Sequence, residues 1–321
     1  MSEQTLKLII HDVIEDGNDV ILLDLRAEDQ SDLPEFSAGA HIDICADNGI
    51  TRQYSLCNAS HERHRYLVAV LLASPSRGGS EWIHQYAGKG KTLTVSAPRN
   101  HFALQPDAEH TVLIAGGIGV TPVLAMAHEL EAQGKSWVLH FSARTKQEAA
   151  LLRTVHDFAA QSQYGKVVYY FTREGDPRID FAGLFTQTEN TGAHFYCCGS
   201  NEFLDAYIDA GKVLPAAQVH YERFTSDQET ARDNEFTLVL ARSNKELEVN
   251  EGESILEVLT RNDVRVKYMC SEGVCGSCEV RVLEGTPDHR DSVLSDAEKS
   301  ANDTMMVCCS GSLSKRLVLD L

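Results

Sequence analysis

The chain has 321 residues, 43% of them hydrophobic, which suits two or three folded domains with ordinary buried cores. Its formal net charge of −18 argues against nucleic acid, whose phosphates it would repel, and is compatible with docking onto a basic patch of a protein partner or with solubility alone. No apolar run reaches the roughly 18 residues of a membrane span, and residues 1–7 lack the basic start and apolar core of a secretory signal, so a cytoplasmic protein is expected.

Residues 1–102 read as all-β. Alternating or β-rich runs at 5–14, 20–26, 41–46, 53–56, 66–72 and 92–97 are punctuated by Pro, Gly, Asn and Asp, as in a small antiparallel barrel. The fourth run carries Arg52-Gln53-Tyr54-Ser55-Leu56, and period-two geometry sends Arg52, Tyr54 and Leu56 to one face. An Arg beside a Tyr and a Ser suits a ligand that offers a phosphate, a ring and a ring heteroatom. An ordinary strand with a surface Arg has the same pattern. Ser76-Arg77-Gly78-Gly79-Ser80 then leads into a helix-like stretch at 81–86. Paired glycines before a helix N-terminus make a nest of N–H groups suited to phosphate, or else a flexible turn.

Residues 103–224 alternate strand and helix, a doubly wound α/β pattern. Strands are expected at 111–115, 137–142, 167–172 and 194–198, with a helix at 121–133 that has Pro122 in its first turn and Gly134 just past its end. The first strand-to-helix turn reads Gly116-Gly117-Ile118-Gly119-Val120-Thr121-Pro122. Glycines at such a turn let a pyrophosphate approach the backbone, although the spacing departs from the Rossmann G-x-G-x-x-G. Cys198-Gly199 closes a later strand, where open α/β sheets bind ligands; a Cys there is more often packing than function.

The polar stretch 225–235 reads as a linker. A β-hairpin is expected at 236–241 and 246–249, and a helix at 254–262. Then comes Cys270-Ser-Glu-Gly-Val-Cys275-Gly-Ser-Cys278, and later Cys308-Cys309. C-x4-C-x2-C with a distant Cys is the ligand spacing of a plant-type [2Fe-2S] cluster. Two irons need four thiolates, three of them from one tight loop, and Gly273, Gly276 and Ser277 keep that loop small. Zinc ribbons usually pair two C-x2-C units, which the x4 gap fits poorly. The remaining Cys45, Cys57, Cys197, Cys198 and Cys309 are expected to be free thiols.

Together these motifs, in this order and along the whole chain, resemble the phthalate dioxygenase reductase family, which is similar in its first two segments to the ferredoxin–NADP reductase superfamily. The closing Leu317–Leu321 run and the His220–Phe224 stretch are similar to that family as well. The resemblance implies an FMN-binding β-barrel domain at 1–102, an NAD-binding α/β domain at 103–224, a linker at 225–235 and a β-grasp ferredoxin domain at 236–321. It implies that Arg52, Tyr54, Ser55, Val70, Gly78, Gly79 and Ser80 hold FMN, that Thr121 reaches the flavin region and that Phe224 covers the ring. Gly117, Gly119, Cys198 and Gly199 would place NADH, and Cys270, Cys275, Cys278 and Cys308 would hold the cluster.

The implied activity is that of an NADH-dependent reductase feeding single electrons to a Rieske-type oxygenase. Flavin is the converter between a two-electron donor and a one-electron centre, and hydride transfer needs no side-chain acid or base, so no catalytic dyad is expected. A different acceptor such as a cytochrome P450, or a non-catalytic redox sensor, are the alternatives; complete flavin and nucleotide sites disfavour the sensor. Docking of the oxygenase is expected around Glu272 and the loop 284–291.

Overall fold

The computed structural model of the chain describes residues 5–321 other than 18, 48, 75, 77, 188–191, 227–228 and 269. The chain forms two compact units, Met1–Glu222 and Arg223–Leu321. Among the described residues no helix is long and apolar enough to cross a membrane.

The first unit begins with six strands: β1 (Thr5–Glu15), β2 (Val20–Ala27), β3 (His41–Cys45), β4 (Thr51–Ser55), β5 (Tyr66–Leu71) and β6 (Thr92–Ser96). They form one antiparallel sheet in the order β4-β3-β6-β1-β2-β5. A bridge between Leu56 and Val68 joins the two outer strands, so the sheet closes into a barrel. Closure follows from the alternation in the sequence. One face of each strand, including Leu8, Leu23, Ile42, Val68 and Val95, sinks into a single core, and full burial of each such side chain contributes about 1.5–3 kcal/mol. Helix α1 (Gly79–Tyr86) adds Ile83 to that core.

The second half of this unit runs β7 (His110–Gly116), α2 (Val120–Ala132), β8 (Ser136–Ala143), α3 (Leu152–Ala159), β9 (Gly165–Phe171), α4 (Phe181–Thr186), β10 (His194–Gly199), α5 (Asn201–Gly211) and β11 (Val219–Arg223). The sheet order is β11-β10-β7-β8-β9, and β10, β7, β8 and β9 pair in parallel. The chain moves outward from β7 to β9 and then returns to place β10 beside β7. That reversal makes a crevice at the carboxyl ends of β7 and β10, the place where open α/β sheets bind ligands. The continuous apolar run Val112–Ala115 is buried throughout, as a sheet covered on both faces requires.

The second unit contains β12 (Phe236–Leu240), β13 (Lys245–Val249), α6 (Ile255–Arg261), β14 (Glu279–Glu284), β15 (Pro287–Asp288), α7 (Asp296–Ala301), β16 (Thr304–Met306), β17 (Gly311–Ser312) and β18 (Arg316–Leu319). Its mixed sheet has the order β13-β12-β18-β14-β16, with β12 parallel to β18. Leu256, Val258 and Leu259 of α6 bury against Leu238, Leu240, Leu317 and Leu319 of the sheet, which is the β-grasp arrangement. A capping box between Ser254 and Glu257 starts α6. The polar stretch 225–235 is partly laid on this unit. The Ala231 N–H donates to the Cys309 carbonyl at 2.8 Å, and the Arg232 guanidinium pairs with Glu257 at 2.7 Å.

Candidate functional site

Strand β4 positions the first group of side chains. Its antiparallel register sets Arg52 opposite Ile44 and Tyr54 opposite Ile42, and sets Ser55 opposite His41. Arg52 and Tyr54 therefore share one face, and Ser55 shares the other with His41. The Arg52 side chain lies on the start of α1. A Cβ built on Gly79 would come within 2.5 Å of Arg52 Cγ, so only glycine leaves room for the arginine there. Gly78 caps α1 at φ 86°, a conformation that suits glycine. Ser80 Oγ accepts from the Ala73 N–H at 3.1 Å, which fixes the turn. Arg52, Gly78, Gly79 and Ser80 thus meet in one cradle: a guanidinium beside a helix N-terminus, the donor set that a flavin phosphate needs. Val70 on β5 is buried, and its carbonyl lies 3.0 Å from His84 Nε2 of α1. Arg77 lies outside the described residues.

The crevice between β7 and β10 brings the second group together. Gly119 packs directly on the end of β10: a Cβ there would stand 2.2 Å from the Cys198 carbonyl oxygen and 2.7 Å from the Gly199 nitrogen. Gly116 and Gly199 also meet, with the Phe203 ring seated against both. Gly117, at φ 55°, has nothing within 4 Å of its would-be Cβ and keeps its backbone open. Thr121 is buried in the first turn of α2 and its hydroxyl donates to the Ile118 carbonyl at 3.1 Å. Cys198 is fully buried, and burial together with the nearby Glu222 charge pushes its thiol well above the usual value, so it stays protonated.

Glu222 falls in the His220–Phe224 stretch that resembles the family, but the sequence reading assigns it no role. It lies on edge strand β11, where a glutamate normally faces water. Here its side chain is only 15% exposed, and its Oε2 is buried without a partner. Burial pushes its carboxyl up to about 8, against the lowering effect of a hydrogen bond with Ser55. His41 Nδ1 stands 4.0 Å from Glu222 Oε1. Ser55, His41, Cys198 and Glu222 therefore face one another where the barrel meets the crevice. The resemblance of the His220–Phe224 stretch is the one signal for this glutamate, and its burial is visible only in the fold.

In the second unit the cysteine loop takes left-handed backbone at Ser271, Gly273 and Gly276. Gly273 is required by space as well as conformation: a Cβ would meet Cys309 Sγ at 2.5 Å and Asp291 Cα at 3.1 Å. Cys270, Cys275, Cys278 and Cys308 are all at least 94% buried, the most exposed of them being Cys275 at 6%. Hydrogen bonds with the Cys275 and Cys308 thiols hold the Cys270 sulfur as a thiolate, and a hydrogen bond with Cys308 lowers Cys278 as well. The Glu272 N–H donates to Cys270 Sγ at 3.3 Å. Among the described residues no group of three or more His, Cys, Asp or Glu is arranged to hold a single metal ion. Four neighbouring thiols with one backbone donor fit a two-iron cluster, whose ligands divide between two centres.

Cys309 Sγ instead lies under Gly273, 3.8 Å from both the Met306 carbonyl and Ser310 Oγ. Cys309→Ser is accordingly expected to keep the visible cluster spectrum, and Cys308→Ser to lose or shift it. The opposite pair of spectra would move the fourth ligand by one residue. Phe224 is half-buried just after β11, at the start of the second unit.

The chain matches two family models: an oxidoreductase NAD-binding domain over residues 113–209 and a 2Fe-2S iron-sulfur cluster binding domain over residues 238–311. It is 45% identical to phenoxybenzoate dioxygenase subunit beta of Ectopseudomonas oleovorans, covering 98% of this chain and 97% of that one. It is 42% identical to tetrachlorobenzoquinone reductase of Sphingobium chlorophenolicum, covering 99% and 98%. The solved structure of phthalate dioxygenase reductase, a module set for electron transfer from pyridine nucleotides to [2Fe-2S], superposes with a TM-score of 0.77 at 38% identity over 99% of this chain and 98% of that one. With that agreement in sequence, domain order and fold, the chain belongs to the phthalate dioxygenase reductase family of oxidoreductases.

Proposed function

We propose that the chain is an NADH-dependent reductase that takes electrons through FMN to its own [2Fe-2S] cluster and delivers them to a Rieske-type oxygenase component. The carrying observation is the convergence of Ser55 on the barrel with Cys198 and Glu222 at the crevice of the parallel sheet. A nicotinamide placed by the crevice and a ring placed by the barrel would meet there.

The domains run 1–102 for flavin, 103–224 for nucleotide and 236–321 for the cluster, joined by 225–235. Arg52 and the Gly78–Ser80 turn hold the flavin phosphate, Tyr54, Ser55 and Val70 border its ring, Thr121 approaches it and Phe224 covers it. Gly117 and Gly119 bring backbone N–H groups to the pyrophosphate, while Cys198 and Gly199 seat the nicotinamide end. Cys270, Cys275, Cys278 and Cys308 ligate the cluster. Bound flavin supplies the exchange between a hydride and single electrons; the protein's part is placement and exclusion of water.

Arg52→Ala is expected to weaken FMN retention by about 1.5–3 kcal/mol, the scale of a charge-assisted phosphate contact. Equilibrium dialysis measures it, and chromatography of the released cofactor should show FMN. Release of FAD would overturn the assignment of this cradle.

The acceptor is tested by reconstitution with candidate oxygenases. The acids of the loop 284–291 are largely engaged within the chain: Glu284 pairs with Arg316 at 2.6 Å, Asp288 with Arg290 at 2.8 Å, and Asp291 faces inward to accept from the Val293 and Leu294 N–H groups. Steering then comes from the overall charge of −18 more than from that loop. Added salt should slow cluster-to-oxygenase transfer in stopped flow and should not slow NADH–ferricyanide turnover, which needs no protein docking. A flat or rising transfer rate would defeat steering by charge. A second reading, direct delivery to a quinone, rests on the quinone reductase among the relatives. Quinone reduction at full rate with no oxygenase present would favour it.

A further inference from the structure

We propose that His289 and Asp291 share one proton beside the cysteine loop, and that this proton raises the potential at which the cluster takes its electron. The inference rests on the reading above that Cys270, Cys275, Cys278 and Cys308 hold a [2Fe-2S] cluster.

The fold brings the pair to the loop from two sides. The short ladder between β15 and β17 pairs Asp288 with Gly311, and the Arg290 N–H donates to Ser310 Oγ at 3.2 Å. The residues after β15 are thereby laid beside the segment that carries Cys308 and Cys309. The same residues meet the cysteine loop. The Ser292 N–H donates to the Gly273 carbonyl at 2.9 Å, and a Cβ on Gly273 would stand 3.1 Å from Asp291 Cα. Gly273 lies between Cys270 and Cys275, so a charge on this pair acts on the loop at close range.

Hydrogen bonding then counts the protons. Asn302 Nδ2 donates to the Ser300 carbonyl at 3.4 Å, which turns its Oδ1 toward His289 Nε2 at 3.2 Å. Nε2 therefore carries a hydrogen and donates it, and in a neutral ring Nδ1 is left as a lone pair. Nδ1 faces Asp291 Oδ1 at 3.8 Å, with side chains 8% and 0% exposed. Both atoms are buried with no hydrogen-bond partner among the described residues. The other carboxyl oxygen, Oδ2, accepts from the Val293 and Leu294 N–H groups at 3.1 and 2.8 Å, so it holds the carboxyl in place. Two acceptors facing each other away from water are costly, and one proton between them satisfies both.

An electron entering beside the loop adds one negative charge. In a dry interior that charge binds the shared proton more tightly. Linkage is reciprocal, so the proton makes the electron easier to accept by the same factor. Where the pair is empty it takes one proton from water as the electron arrives, and returns it when the electron leaves for the acceptor. Where the pair is already filled, only the electron moves.

The charges around the pair do not duplicate it. Arg290 is matched by Asp288 at 2.8 Å and Asp233 at 3.6 Å. Lys299 of α7 donates to the Asp291 carbonyl at 2.5 Å. Glu272 belongs to the loop itself, and Cys309 Sγ lies under Gly273. All of these stay in place when His289 is changed, so a comparison of variants isolates the shared proton.

The test is the midpoint potential of the cluster in the holoprotein, followed by electron paramagnetic resonance during reductive titration across a pH series. In the parent chain the potential should fall as the pH rises. A proton held at least tenfold more tightly in the reduced state gives a fall of at least about 59 mV. His289→Gln can still donate to Asn302 and carries no such proton. Its potential should lie below the parent's at low pH, and the two curves should converge at high pH. Curves that superimpose, or that stay parallel throughout, would overturn the proposal, since a merely structural change shifts the potential equally at every pH.

Asp291→Asn gives a second measurement that does not depend on the cluster. Its amide oxygen can still accept from Val293 and Leu294, while its NH2 faces Nδ1 and removes the need for a proton. In nuclear magnetic resonance spectra the His289 ring nitrogens should change from both protonated in the parent to Nε2 alone in the variant. Unchanged ring signals would also overturn the shared proton. A parent chain without iron or a cluster spectrum would count against the four-cysteine reading, and the His289 signals would still decide the pair.

Discussion

Cys275→Ser is expected to retain flavin and NADH–ferricyanide turnover while transfer to cytochrome c or to an oxygenase falls at least about a hundredfold, roughly 2.7 kcal/mol on the barrier. The separation follows from the two compact units. Residues 1–222 carry their own cores and the convergence of Ser55, Cys198 and Glu222, so hydride chemistry does not depend on the cysteine loop. Cys275 sits in that loop, 6% exposed, between the left-handed Gly273 and Gly276. Its thiol hydrogen-bonds with the Cys270 sulfur, so replacing it by a hydroxyl would remove both a proposed cluster ligand and a neighbour of the remaining thiolate. Iron content, the visible spectrum and the two acceptor assays check the outcome. Full iron with undiminished cytochrome c reduction would remove Cys275 from the ligand set.

Much of this architecture can be read from the order of residues, for identifiable reasons. The six barrel strands declare themselves because a half-buried strand must alternate, and the observed strands begin and end within two residues of that alternation. The parallel strands appear as unbroken apolar runs because helices cover both faces. The cysteine loop is legible because cluster geometry dictates ligand spacing. What stays hidden depends on contacts distant in sequence. Nothing in His220-Tyr221-Glu222 tells that Glu222 turns inward from an edge strand, since the burial is created by Ser55 and His41 on strands β4 and β3. The polar composition of 225–235 signals a linker, yet Ala231 and Arg232 are held by the Cys309 carbonyl and Glu257. Adjacent Cys308 and Cys309 look equivalent as letters. They separate only when the fold puts one sulfur among the other thiols and the other beneath Gly273.

Gly119→Ala is expected to impair both stability and NADH binding far more than Gly117→Ala, although Gly117 has the stranger backbone. Gly119 has an ordinary helical φ of −61°, so alanine suits its conformation. The obstacle is space. The new methyl would sit 2.2 Å from the Cys198 carbonyl oxygen and 2.4 Å from its carbon, and these are main-chain atoms of a central strand hydrogen-bonded into the parallel sheet. They cannot rotate away as a side chain would, so the α2 turn and the end of β10 must part. Overpacking costs about 1–3 kcal/mol, and against main-chain atoms this one falls at the upper end; it also opens the crevice where the nucleotide is proposed to lie. At Gly117 the balance is reversed. The φ of 55° penalises a Cβ by roughly 1–2 kcal/mol, but no atom lies within 4 Å of it, so the neighbouring strands stay in place. Denaturant unfolding and the KM for NADH, measured on both variants, separate the two effects. Similar losses in both would mean that backbone conformation, and not the contact with Cys198 and Gly199, makes glycine necessary at this turn. An unchanged KM in Gly119→Ala would take the nucleotide away from the crevice altogether.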